Sequence, residues 1–243
     1  MALSLRFYPG RALPGALSPW SPDFPPAAFK AAGDRPTVWL ERCVLSGKRG
    51  QDWLRKLQTA SARPYTQGMK RIFLLRHAEA ADGTPALKDR DRPLTEKGRE
   101  DARLIGDYLA RQTEKPGFAL CSPALRTRET LDGICARLSA PLATKYEETL
   151  YNASAGDILN AIQQLPDRIA NVLVVGHNPG FHAFGARLAD RTASDPDALL
   201  RLAHKFPKGA LALFESPAKS WAEVSYGRAK LQYFVKPREL RQH

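Results

Sequence analysis

The stretch FLLRHAEA, residues 73–80, drives an apolar run straight into an arginine, a histidine and a glutamate. With the residues before it, RIFLLR (71–76) reads as a short strand buried on both faces. Such a strand ending on Arg76 and His77 has two meanings. Either the pair caps the strand in solvent, or the strand delivers it to a site. The same ending recurs in NVLVVGHN (171–178), the strongest strand pattern in the chain, which closes on His177.

Outward from these two strands, strand and helix patterns alternate. A polar loop (80–93) leads into a helix within PLTEKGREDARLIGDYLARQ (93–112), with Thr95 as its N-cap and Arg111 near its end. GFALCS (117–122) is a second strand, and PALRTRETLDGICARL (123–138) a helix with Pro123 in its first position. LATKYEE (142–148) is a third strand. ASAGDILNAIQQL (153–165), PGFHAFGARLAD (179–190) and DPDALLRLAHKF (195–206) are helical. GALALFES (209–216), WAEVSYGR (221–228) and KLQYFVKP (230–237) read as a closing β meander. Strands alternating with helices predict an α/β fold, a three-layer α/β/α sandwich on a mostly parallel central sheet.

In such sheets ligands bind beyond the carboxyl ends of the strands, where strand order reverses. Three predicted strands end there on polar residues: Arg76-His77, Cys121-Ser122 and Gly176-His177-Asn178. Arg126 lies in the first turn of the helix after the second of them. Two arginines, two histidines and a helix N-terminus suit a tetrahedral dianion such as phosphate, because a guanidinium fork donates two bonds at once. A neutral imidazole can attack phosphorus while cations offset the charge on the transferring oxygens. An unperturbed histidine titrates near 6.5 and is available neutral at pH 7. Glu147 or Glu148, at the end of the third strand, is the nearest candidate proton donor.

LLRHAEA, RPLTEKGR, CSPALRTRETL and VVGHNPG, in this order, resemble the histidine phosphatase superfamily, also called phosphoglycerate mutase-like. The likeness covers roughly 69–240. The superfamily's Arg-His-Gly motif is present as Arg76-His77-Ala78, with alanine in the glycine position. That form, together with LYNASAGDIL (150–159) and GHNPG, is more similar to the bacterial phosphohistidine phosphatases. The resemblance implies that His77 is the nucleophile that becomes phosphohistidine. It implies that Arg76, Arg126 and His177 bind the phosphoryl group, that Glu148 matches the acid, and that neither a metal nor another cofactor is needed. The expected substrate is a phosphorylated protein carrying phosphohistidine; the alternatives are a small phosphate ester, or a phosphate-binding module without catalysis.

Neighbouring residues have plainer readings. Arg128 is expected to face solvent, Glu79 to pair locally, and Arg92 to form a salt bridge or face substrate. His182 and His204 fit ordinary helical positions, and Cys121 fits core packing, since no base is evident to activate it.

Composition bounds the rest. No run of about 18 apolar residues exists, so a transmembrane span is not expected. Three cysteines with no CxxC spacing read as reduced thiols of a cytoplasmic protein. The net charge of +12 favours anionic partners without choosing among them. Residues 1–68 carry 10 Lys and Arg against 4 Asp and Glu, and 8 of the 19 prolines. Proline that dense blocks helix and sheet ladders alike. A short helical patch is expected only at 50–60. The basic residues are scattered, so nucleic acid is not an expected partner. Met69 directly precedes the first strand. The folded domain is therefore expected to be 69–243, with 1–68 a disordered extension or an upstream stretch included by a misplaced start. The acid-free, arginine-bearing first 22 residues also fit an organelle-targeting segment.

Overall fold

A computed structural model describes residues 68–85 and 87–241. The extension 1–68, apart from its last residue, and the helical patch expected at 50–60 lie outside the described residues. Six strands form one sheet: β1 (Lys70–Arg76), β2 (Phe118–Cys121), β3 (Ala143–Tyr146), β4 (Asn171–Gly176), β5 (Leu211–Ser216) and β6 (Lys230–Val235). Their order is β3-β2-β4-β1-β5-β6. The pairings β3–β2, β2–β4 and β4–β1 are parallel, and β5 alone runs against its neighbours β1 and β6.

Helices cover both faces: α1 (Glu96–Arg111), α2 (Leu125–Cys135), α3 (Ala155–Gln163), α4 (Gly180–Leu188), α5 (Pro196–His204) and the short α6 (Pro237–Leu240). The alternation of each strand divides the core in two. Ile72, Leu74, Leu120, Val172 and Val174 pack with Ile158, Phe181, Phe184 and Leu202 of α3, α4 and α5. Phe73, Leu75, Ala119, Leu173 and Val175 pack with Ile105, Leu109, Leu131 and Ile134 of α1 and α2. A strand buried on both faces must be apolar at every position, which accounts for the unbroken FLL and VLVV runs. The three-layer α/β sandwich with a mostly parallel sheet is therefore the observed architecture. Among the described residues no helix is long and apolar enough to cross a membrane.

Capping sets several boundaries. The Thr95 side chain accepts from Gly98 N–H, and Ser154 with Asp157 forms a capping box at α3. Asp195 caps α5, with Pro196 at the first position. Gly98 has a second reason to be glycine: a Cβ there would sit 2.0 Å from the Glu79 carbonyl oxygen. Its absence lets the start of α1 lie against the chain just beyond His77, where Thr95 N–H donates to the Glu79 carbonyl at 2.9 Å. Ala78 fills a small cluster with Ala80, Leu94 and Ala102 at the same junction, so its methyl group is packed where the superfamily motif has none.

Two expectations are corrected. Pro123 is not the first residue of α2; the helix begins at Leu125, after an extended Ala124. Residues 221–228 are not a strand. Trp221 and Val224 are buried three apart, which is the period of the 3₁₀ turn observed at Trp221–Glu223, not of a strand. Trp221 is held there by its indole N–H, which donates to the Ile169 carbonyl at 2.8 Å, and by the Lys70 ammonium 5.3 Å from its ring centre.

Candidate active site

The register of the central strands gathers the site. Arg76 pairs with Gly176, and both Leu75 and Cys121 pair with Val175. His77 N–H continues the ladder to the Gly176 carbonyl at 3.0 Å, and Ser122 N–H to the Val175 carbonyl at 2.9 Å. His77, His177 and Ser122 therefore leave the sheet side by side at its carboxyl edge. The chain runs from β1 towards β2 and from β4 towards β5, on opposite sides, so this is the switch point where ligands bind in such sheets. The two imidazoles lie 5.1 Å apart, centre to centre, and are 7 % and 5 % exposed.

His77 Nδ1 lies 2.7 Å from the Ala78 carbonyl oxygen. A carbonyl can only accept, so Nδ1 carries the proton and Nε2 keeps its lone pair. Burial pushes the His77 imidazole down to about 4, helped by the charges of Arg126, Arg76 and Lys208 and resisted by the Ala78 hydrogen bond. His177 is pushed down to about 3, first by burial and then by His77 and Arg126. Both rings are thus neutral at pH 7. His177 Nε2 shares a hydrogen bond with Ser122 Oγ at 2.8 Å, and its buried Nδ1 has no partner among the described residues.

The cations come from two directions. Arg76, at the end of β1, donates from Nη1 to the Phe206 carbonyl at 2.9 Å, while its buried Nε has no partner among the described residues. Arg126 is buried in the first turn of α2, a helix start without a side-chain cap or an acidic residue. Its guanidinium meets Asp89: Nη1 donates to the backbone carbonyl at 2.5 Å and Nη2 to Oδ2 at 2.9 Å. The Tyr151 hydroxyl also donates to Oδ2, at 2.8 Å, and Arg92 to Oδ1, at 3.0 Å. Tyr151, Arg92 and Arg126 together hold the Asp89 carboxyl down at about 2, against the opposing effect of burial. Tyr151 in turn sets its ring edge-on to His177, centres 5.6 Å apart. The Thr130 hydroxyl ties the two halves together, accepting from Ala78 N–H at 3.0 Å and donating to the Arg126 carbonyl at 2.6 Å.

Of the residues expected from sequence, Arg76, His77, Arg126 and His177 converge here. Glu148 stands further out, exposed at the start of the 3₁₀ turn Glu148–Leu150, where Arg90 grips both of its oxygens at 2.6 and 2.8 Å. Glu147 pairs with Lys145 at 2.8 Å and accepts from the Thr149 hydroxyl at 3.1 Å. Arg92 forms a salt bridge, with Asp89. Glu79 pairs locally with Lys97 at 2.5 Å, and Arg128 is exposed over the Tyr146 ring. His182 is structural, bridging to the Leu202 carbonyl at 2.8 Å. Cys121 is fully buried, and burial pushes its thiol up, out of reactive range.

Sequence reasoning missed Asp89, Tyr151 and Thr130. Asp89 sits on a short 3₁₀ turn (Asp89–Asp91) and Tyr151 in a loop, both placed by packing, and Thr130 reads as an ordinary helical residue. The signals that were available are the charge alternation KDRDR (88–92) and the tyrosine in LYNASA (150–155). Among the described residues, no group of three or more His, Cys, Asp or Glu side chains is arranged to hold a metal ion.

An NMR titration of the substrate-free protein should give the His77 ring a midpoint near 4. An unfolded histidine titrates near 6.5, so between these values the unfolded chain binds more protons than the folded one. The stability tied to neutral His77 is therefore intact above pH 6.5 and lost as pH falls towards 4. A midpoint near 6.5 would mean a solvated ring and would remove this account.

The profile of the histidine phosphatase superfamily (branch 1) matches residues 72–179. An uncharacterised protein of Mycobacterium tuberculosis is 35 % identical over 166 residues, covering 68 % of this chain and 100 % of that protein. The phosphohistidine phosphatase SixA of Escherichia coli is 32 % identical over 110 residues, covering 44 % of this chain and 67 % of that protein. Among solved structures, a provisionally assigned phosphohistidine phosphatase SixA from Nakamurella multipartitia superposes with a TM-score of 0.61 at 32 % identity. It covers 70 % of this chain and 97 % of its own.

Proposed function

Because the chain belongs to the histidine phosphatase superfamily, we propose that it is a phosphatase that passes a phosphoryl group through His77, with phosphohistidine in a protein as its substrate. The observation that carries this reading is the hydrogen bond from His77 Nδ1 to the Ala78 carbonyl, which leaves the Nε2 lone pair for attack in a neutral, buried ring. Arg126, Arg76 and His177 bind the phosphoryl oxygens. The unpartnered Arg76 Nε and His177 Nδ1 support that role: a buried polar atom without a partner is costly, and a phosphoryl oxygen would accept from the arginine. When Ser122 donates to His177 Nε2, Nδ1 carries a proton and donates as well.

In the first step Nε2 attacks phosphorus, and the substrate's N–P bond breaks with its electron pair going to the departing nitrogen. A phosphoimidazole protonated on its other ring nitrogen leaves as neutral imidazole and takes no proton from the enzyme. Water then attacks the phosphorus on His77. The second N–P bond breaks, its pair returns to Nε2, and both protons of the water leave with the phosphate as dihydrogen phosphate. Positioned cations stabilise the transferring group in both steps.

The charged surroundings favour this leaving group over an alkoxide. Asp89 is held ionised by Tyr151, Arg92 and Arg126, and both oxygens of Glu148 are engaged by Arg90. An alkyl phosphate would need a proton from such a group, and in that second reading Glu148, freed from Arg90, or Glu147 is the donor. Turnover of a phosphorylated histidine domain against sugar phosphates, by the wild type and Glu148→Gln, tests the choice. The expected outcome is preferred cleavage of the phosphohistidine domain, with less than about fivefold loss in the variant, since general-acid help is typically worth 10²–10⁴-fold where it is needed. Preferred cleavage of sugar phosphates, with a loss of about 10²-fold or more in the variant, would establish the phosphomonoester reading instead.

We assign this activity to residues 69–243. We assign it to the cytoplasm on the ground that the three cysteines are a sparse, odd set without CxxC spacing and that Cys121 is a buried thiol.

A further inference from the structure

Beside the phosphoryl site lies a second feature that the chemistry above does not use. A cleft of about 310 Å³ opens between α1, the segment 204–208 and α6. Its walls carry Lys97, Lys205, Lys208, Lys236, Arg238 and Arg241. Among the described residues, the one acid lining it, Asp101, is taken by Arg241 at 2.6 Å. Among the described residues, Lys205, Lys208 and Arg238 have no carboxylate partner within ion-pair distance, and all three are exposed.

The cleft is fastened to the nucleophile. Gly209 takes a left-handed φ of 72° and donates its N–H to the Arg76 and His77 carbonyls at 3.2 and 3.0 Å. A Cβ at Gly209 would lie 2.7 Å from the Pro237 ring, so this glycine lets the α6 wall close against the segment that carries Lys208. Lys208 is near enough for its charge to act on the His77 ring. The volume is at the lower end of ligand-sized clefts, roughly 300–1,000 Å³. Four of its six cations are lysines, compact point charges, and the six are spread over three elements instead of converging on one point. That distribution suits several carboxylates strung along a chain better than one chelated phosphate.

The geometry points to a docking site for an acidic segment of the protein substrate, held in this cleft while its phosphohistidine reaches His77. The inference rests on the proposed phosphohistidine activity and adds the substrate's flanking sequence. Charge of this kind raises the local concentration of an acidic partner and is screened by salt.

The test uses the full chain and Lys205→Gln/Arg238→Gln, in which two exposed cations away from the phosphoryl site are neutralised. The probes are a Glu-rich peptide without phosphate, a phosphohistidine peptide with flanking glutamates, the same peptide with glutamines, N-phosphoimidazole, and pyrophosphate. The wild type should bind the Glu-rich peptide about tenfold more tightly than the variant, with the difference gone at high salt. It should also prefer the glutamate over the glutamine phosphopeptide by a similar factor in kcat/KM. N-phosphoimidazole turnover should be the same in both proteins. Equal peptide binding by the two proteins would overturn the docking site even if turnover is normal. Saturation of the cleft by pyrophosphate, without measurable peptide binding, would overturn the choice of occupant. Absence of turnover with every phosphohistidine compound would instead overturn the proposed activity, while peptide binding would still decide the docking site.

Discussion

Replacing His77 with alanine should abolish phosphate release, with a loss on the order of 10⁴-fold or more, as removal of a nucleophile generally does. The size follows from the position of the residue. His77 is the buried imidazole whose Nδ1 proton is committed to the Ala78 carbonyl, so no neighbouring group can supply an equivalent lone pair. His177 is close, but its Nε2 is occupied by Ser122, and with Ser122 donating there its Nδ1 carries the ring proton. The measurement is twofold: steady-state phosphate release, and acid-quenched trapping of ³²P on the protein from a labelled phosphohistidine substrate. Label should appear on the wild type and be absent from His77→Ala. The fold should survive, because the substitution removes a ring at the sheet edge and leaves intact the backbone bond from residue 77 to Gly176. Unchanged labelling in a folded variant would overturn the assignment of the nucleophile, and a folded wild type that binds phosphate without ever being labelled would be a phosphate-binding module.

Arg126→Ala should cost roughly 10²–10³-fold in kcat/KM, the range for removing one preorganised stabiliser of developing charge. Arg126 is buried at the uncapped start of α2, and its two terminal nitrogens are presented together, to Asp89 in the substrate-free protein. A phosphoryl group must share or replace that carboxylate. The same variant should therefore lose competitive inhibition by tungstate or inorganic phosphate. Arg126→Lys should restore charge but little activity, since an ammonium has no planar fork. Activity within threefold of wild type in Arg126→Ala would show that the dianion is held elsewhere.

Much of this was legible beforehand, for identifiable reasons. A strand buried on both faces must be continuously apolar, so FLL and VLVV stood out, and the polar residues that end them could be aligned at one edge. The helix start capped by the Thr95 side chain was readable because capping is local. Where the signal was not local, reading failed. WAEVSYGR carries the residue types of a strand, but its Trp221 is drawn under the sheet by Ile169 and Lys70, from 52 and 151 positions away in sequence. Pro123 suits a first helical position, but the chain turns into α2 two residues later.

The sequence by itself determined the alternating α/β layers, the two histidines at strand ends and the arginine at a helix start. Each is a matter of residue type within a few positions. Only the tertiary structure decided which charges meet. It set Asp89 on Arg126, turned Glu148 towards Arg90, used Thr130 to join the His77 loop to α2, and opened a basic cleft between α1, the segment 204–208 and α6. Those pairings depend on where loops cross the edge of the sheet. Loop paths are set by packing between segments distant in the chain, and no local pattern encodes them.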